Sequence, residues 1–185
     1  MSPTLVRSGV LPLNSDDACF DAARVLAALR VSPSELGYRA QALFAATLER
    51  MSAGVDVIAR AGHPDVLVRM RGRALRIQVK ATGQHSFQLS REDLDGIRPR
   101  SDEEEGYLAL LDVGPPVAWT CVPHGRARVL VGRTVPLAML KTMGDVELSS
   151  RCTEIFAALM LEHRDSFEAF TFSLVRHRTL AKSPD

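Results

Sequence analysis

The 185-residue sequence has only three cysteines, Cys19, Cys121 and Cys152, odd in number and far apart. With no CxxC or CxxH pairing, they argue against a disulfide framework or a zinc site and read as reduced thiols. The five histidines show no HxxxH or HExxH spacing on a predicted helix, so a zincin-type metal site has no support either. No apolar run approaches the roughly 18 residues of a helical membrane span. The opening MSPTLVRSG lacks the basic segment and apolar stretch of a secretory signal, and a soluble, cytoplasmic chain with no membrane partner is expected. Charge imbalance is missing too: with a net charge of +1, nucleic-acid binding by bulk electrostatics is ruled out and would have to come from a local patch. There is no glycine-rich phosphate loop, nucleophile elbow or cysteine–histidine pair to support a small-molecule enzyme on an unrelated α/β fold.

What is present is an ordinary globular balance, 46% hydrophobic and 24% charged, in a length suited to a single domain. Asn14 or Ser15 can cap a first helix ending near Arg30, and Ser32-Pro33-Ser34-Glu35 has the composition of a capping box opening a helix over 33–51. From Val55 the period changes to that of β structure. VDVIAR, DVLVRMR and ALRIQVKAT predict three adjacent strands, and SFQLS a short extended piece. A short helix should follow from Ser90, then strands at YLALLDV and VAWTCVP, with the acidic run 102–105 as a solvated loop. Beyond Arg126 the pattern predicts a strand at RVLVGR, helices over 136–143 and 150–162, and a segment FEAFTFSLV that periodicity cannot assign to helix or strand. The helix over 150–162 could serve the core or a homodimer surface.

The most informative stretch runs from Asp65 to Lys80. A Gly72-Arg73 connection has the composition of a two-residue II′ turn, which would set Arg69 opposite Arg76, Leu67 opposite Gln78 and Asp65 opposite Lys80. Alternation then puts Asp65, Arg69, Arg71, Arg76, Gln78 and Lys80 on one face, and Val66, Val68, Met70, Leu75, Ile77 and Val79 on the other. Directly opposed arginines destabilise a strand pair, and an anion between them would remove the penalty. Asp65 and Gln78 offer oxygen ligands on neighbouring strands, with Lys80 as a cation beside them. These are the parts needed to hold Mg²⁺ and stabilise an attacked phosphate, and equally a solvent-facing Asp–Lys pair among surface arginines.

Asp65 followed by Ile77-Gln78-Val79-Lys80-Ala81-Thr82 resembles the PD-(D/E)xK nuclease superfamily in its QxK variant. LGYRAQALFAATLERMSAGVDVIA is similar to the leading helix and first strand of Holliday-junction resolvase-like and Mrr-type proteins. The resemblance covers somewhat under half the chain. It implies a restriction-endonuclease-like αβββαβ core, its central mixed sheet flanked by helices, over 32–123, with an N-terminal helical extension over 1–31 and a C-terminal addition over 124–185. It also implies a Mg²⁺- or Mn²⁺-dependent DNA endonuclease in which Asp65, Gln78 and the backbone carbonyl of Val79 bind metal. Lys80 would orient water or stabilise the phosphate, and Gln41 stands where relatives carry a glutamate on the leading helix. Arg69, Arg71 and Arg76 would contact DNA. Gln41 and Gln78 each keep a carbonyl ligand but lose a charge, which should weaken metal binding. Glu35 or Glu49, on the same predicted helix, could substitute. The alternative is an inactive nuclease-fold protein that binds DNA or a partner protein.

Overall fold

The computed structural model describes residues 19, 23, 24, 26, 31–51, 54–57, 63–70 and 72–180. The first helix predicted from Asn14 or Ser15 lies largely outside them, although Cys19, Ala23, Arg24 and Leu26 are helical. Helix α1 spans Pro33–Arg50, with Ser32 accepting from the Glu35 amide. Only half of a capping box forms there, because the Glu35 carboxylate turns to Arg39 at 2.7 Å.

Strands β1 (Gly54–Val57), β2 (Val66–Met70) and β3 (Arg73–Thr82) make an antiparallel meander. A short β4 (Ser86–Gln88) and helix α2 (Arg91–Gly96) lead to β5 (Glu104–Asp112), which runs parallel to β3, and β6 (Ala118–Pro123) closes the sheet in the order β1-β2-β3-β5-β6. The expected αβββαβ order and helix-flanked mixed sheet are thus present. Helix α3 (His124–Ala127) runs into a 3₁₀ turn (Arg128–Leu130) that takes the first half of RVLVGR, where a strand is expected, and Val131 makes an isolated bridge to Leu89. Alternation over so short a piece is overridden by packing: Leu130, with Ala127 just before the piece, is buried in the layer under α2. Strand β7 (Thr134–Pro136) pairs with β4, followed by α4 (Leu137–Met143), α5 (Val146–Glu162) and α6 (Phe167–Leu180), which resolves the ambiguous FEAFTFSLV as helix. Glu104 and Glu105, predicted in a loop, open β5 instead.

Two apolar layers cover the sheet. On one face Leu43, Phe44 and Leu48 of α1 and Cys152, Phe156 and Met160 of α5 pack on Val66, Val68, Ile77, Val79, Ala109 and Trp119. On the other, Leu94 of α2 and Leu140 of α4 pack with Ile97 and Leu130 on Leu108, Leu110 and Val122. Strand β5 is buried on both faces, as its near-continuous apolar run requires. The three cysteines are buried.

Helix α2 sits unusually close to the sheet. A Cβ at Gly106 would lie 1.9 Å from the Ile97 carbonyl oxygen, a backbone atom that cannot rotate away. Gly106→Ala should therefore displace the end of α2 and cost about 1–3 kcal/mol, read as a lower urea midpoint with unchanged slope. A midpoint equal to wild type would mean that α2 is not seated on β5.

Candidate functional site

The hairpin register differs from the sequence expectation by two residues. Met70 pairs with Arg73, Arg69 with Ala74 and Leu67 with Arg76, so Gly72 is the second residue of the connection rather than the first, with φ at +80°. A slip of two preserves which face each side chain occupies, so the polar and apolar sorting survives. The opposed Arg69–Arg76 pair does not form. Arg76 is only 5% exposed and donates to the Gly96 carbonyl at 3.1 Å, with Glu104 at 3.9 Å. Its Nε has no partner among the described residues. Burial, then the nearby Arg100, push the guanidinium below its ordinary pKa. Arg76 thus fastens α2 to the sheet and is not open to a phosphate, whereas Arg69 is exposed. Arg71 lies outside the described residues.

Asp65 precedes β2 at the open end of the hairpin, where β2 no longer pairs with β3. Its Oδ2 fills the vacated edge, accepting from the Val79 amide at 2.8 Å and from the Gln78 side-chain amide at 2.6 Å. In an extended strand the N–H and C=O of one residue leave on the same edge, so the Val79 carbonyl emerges beside Asp65. Gln41, intermediate in burial amid the otherwise buried stretch 40–48 of α1, reaches the same carboxylate with its side chain. Asp65 is brought to a pKa of about 6, chiefly by burial; the Val79 N–H, Lys80 and Gln41 hold it down, and Asp93 pushes it up. A partly buried carboxylate with so raised a pKa is a recurrent mark of functional sites.

Lys80 completes the group by forming an ion pair with Asp93 of α2 at 2.7 Å, its side chain 33% exposed. Asp93 is the residue that sequence reasoning missed as part of the site. Ser90-Arg91-Glu92-Asp93 reads as a helix start, and it is one: Ser90 caps the Asp93 amide while Asp93 Oδ2 takes the Ser90 amide and hydroxyl. The second oxygen of Asp93 is what faces Lys80.

No family model and no curated protein matches the chain. Among solved structures, it is similar to the Holliday junction resolvase Hjc of the archaeal hyperthermophile Archaeoglobus fulgidus. The TM-score is 0.45 and the identity 20%, over 54% of this chain and 86% of that one.

The donors at this point are a carboxylate, two side-chain amides and a strand carbonyl. Oxygen donors of this kind suit a hard cation such as Mg²⁺, which keeps much of its water and needs few protein ligands. Gln78 presents its nitrogen to Asp65, so its amide would have to turn over to offer oxygen to a metal. Among the described residues no three His, Cys, Asp or Glu side chains gather as a metal-holding group, so negative charge is scarce here. Glu35 does not remedy that scarcity: its carboxylate is engaged by Arg39. No described helix is long and apolar enough to cross a membrane.

Proposed function

We propose that the chain is a metal-dependent DNA endonuclease whose reacting centre lies between Asp65, Gln78 and Lys80. The observation that carries this reading is the meeting of Asp65, Gln78, the Val79 backbone, Gln41 and Lys80 at one broken edge of the sheet. Asp65, Gln78 and the Val79 carbonyl would hold Mg²⁺ or Mn²⁺, which supplies a Lewis acid for the scissile phosphate and an acidified water. Lys80 places a positive charge where charge develops on the attacked phosphate. Gln41 orients the Asp65 carboxylate from α1, and the packing of α1 on β3 fixes its distance. Contact with the DNA backbone falls to exposed Arg69, whose partner Ala74 is six residues from Lys80 along β3. That is roughly 20 Å of strand, or about six base pairs of duplex rise, so Arg69 would engage the flanking backbone.

A second reading is a non-catalytic descendant that binds DNA or a partner protein. It is favoured by the shortage of carboxylates and by the protein N–H groups that already satisfy Asp65 Oδ2.

Gln78→Glu separates the two. If missing charge limits the metal, this nearly isosteric change restores an anionic ligand and lowers the Mg²⁺ concentration for half-maximal cleavage by about 10-fold, consistent with one added charge near the ion. Absence of cleavage by both proteins on duplex, single-stranded and branched DNA, in Mg²⁺ and in Mn²⁺, selects the non-catalytic reading.

A further inference from the structure

We infer that Asp93 is a positioning residue of this site: fixed by the cap of α2, its carboxylate holds the Lys80 ammonium beside Asp65. The inference rests on the nuclease reading for its consequence but not for its geometry. Lysine side chains are flexible, and much rotamer freedom must be surrendered to hold one still. On an exposed strand that cost falls on the reaction itself. Here it is met beforehand, because Lys80 Nζ is 2.7 Å from Asp93 Oδ1, and Asp93 is only 15% exposed.

Asp93 in turn cannot wander. Its other oxygen accepts from the Ser90 amide at 3.2 Å and the Ser90 hydroxyl at 2.7 Å. The far end of α2 is tied down independently by the Gly96 carbonyl on Arg76 and by the close seating of Ile97 on Gly106. The two anchors lie on the same face of β3, at Arg76 and Lys80, with Gln78 between them. The polar row of β3 is therefore shared: its ends fasten α2 and its middle faces Asp65. Both Lys80 and Asp93 exert their charge on Asp65, which places all three within one electrostatic neighbourhood. Held as a pair, they bring a cation to the site with its charge locally balanced, so Lys80 can be kept close without a bare buried charge.

A purely structural role for Asp93, as the cap of α2, makes different predictions. Asp93→Asn keeps an acceptor for Ser90 but removes the negative charge that faces Lys80; Ser90→Ala removes the hydroxyl of the cap but keeps that charge. The sequence contains only three lysines, Lys80, Lys141 and Lys182, so NMR of the ¹³C-methylated full chain yields few lysine signals. Lys80→Arg assigns the one of interest. Positioning predicts that the Lys80 signal moves to the free-lysine position in Asp93→Asn and moves less in Ser90→Ala, where the amide of residue 90 still holds Asp93. It also predicts that kcat for DNA cleavage falls about 10-fold or more in Asp93→Asn with KM within about twofold, as for other groups that orient a reacting one. Ser90→Ala, which keeps the amide on Asp93, should lose less kcat than Asp93→Asn while losing stability.

An unmoved Lys80 signal in Asp93→Asn overturns the inference, as do equal losses of kcat in the two variants. If the wild-type chain cuts no DNA, the nuclease reading falls, and the lysine signal by itself decides whether Asp93 holds Lys80.

Discussion

Replacing Lys80 with alanine is expected to lower the turnover of DNA cleavage by about 10³-fold, the effect of removing one charged group aimed at a developing oxyanion. The fold should survive. Lys80 is one-third exposed on the polar face of β3 and pairs with Asp93, so its removal costs stability on the order of 1 kcal/mol or less. Circular dichroism and urea unfolding establish that the variant is folded, and single-turnover cleavage under saturating Mg²⁺ gives the loss. Lys80→Arg should not rescue it fully, because a planar fork cannot place its charge at the same point as an ammonium. Full activity in Lys80→Ala would remove this lysine from the mechanism.

The second large effect is one of stability, and it has the opposite sign from most substitutions. Asp65 has a folded-state pKa of about 6 against an ordinary 3.8, so its ionisation is less favourable in the folded chain than in the unfolded one. This cost is absent only below about pH 3, where the carboxyl is protonated in both the folded and the unfolded state. It grows as pH rises towards 6 and is constant above that. A shift of about two units corresponds to about 3 kcal/mol of lost stability at pH 7, or nearer 2 because the group is only partly buried. Asp65→Asn retains an oxygen acceptor for the Val79 amide and Gln78 and removes the charge. It should raise unfolding stability at pH 7 by about 2 kcal/mol, with the gain shrinking as pH falls below 6 and vanishing below about pH 3. The same variant should lose cleavage. Saturating Mg²⁺ should raise the melting temperature of wild type and leave that of Asp65→Asn unchanged, since only a site that binds the ion in the folded state gains from it. A destabilised Asp65→Asn at pH 7 would mean that the carboxylate serves the fold rather than a ligand.

The sequence makes the order of elements legible because the signals are local. Ser32 and Ser90 announce their helices, and the β-branched runs alternate over enough residues to sort their faces. The site is legible for a less obvious reason. The hairpin is displaced by two residues from the expected register, yet a two-residue slip leaves every side chain on its own face, so Asp65, Gln78 and Lys80 still converge. What depends on absolute register fails: Arg69 and Arg76 are not opposed.

The remaining differences come from contacts between residues far apart in the chain. Arg76 and Arg69 look alike along their strands, and only the docking of α2 buries one and leaves the other exposed. Asp93 has the spacing of a capping residue and fulfils it, while the oxygen that meets Lys80 has no local signature. The first half of the strand expected at RVLVGR gives way to a 3₁₀ turn, in which Leu130 is buried in the layer beneath α2.

The central claim, that Asp65 and Gln78 form a divalent-cation site, is tested most directly by crystals of the chain soaked in Mn²⁺ and measured for anomalous scattering. The account predicts a peak within about 2.0–2.4 Å of an Asp65 oxygen, with Gln78 turned to present its carbonyl, and loss of that peak in Asp65→Asn. Manganese bound elsewhere, with Gln78 still donating its amide to Asp65, would contradict it.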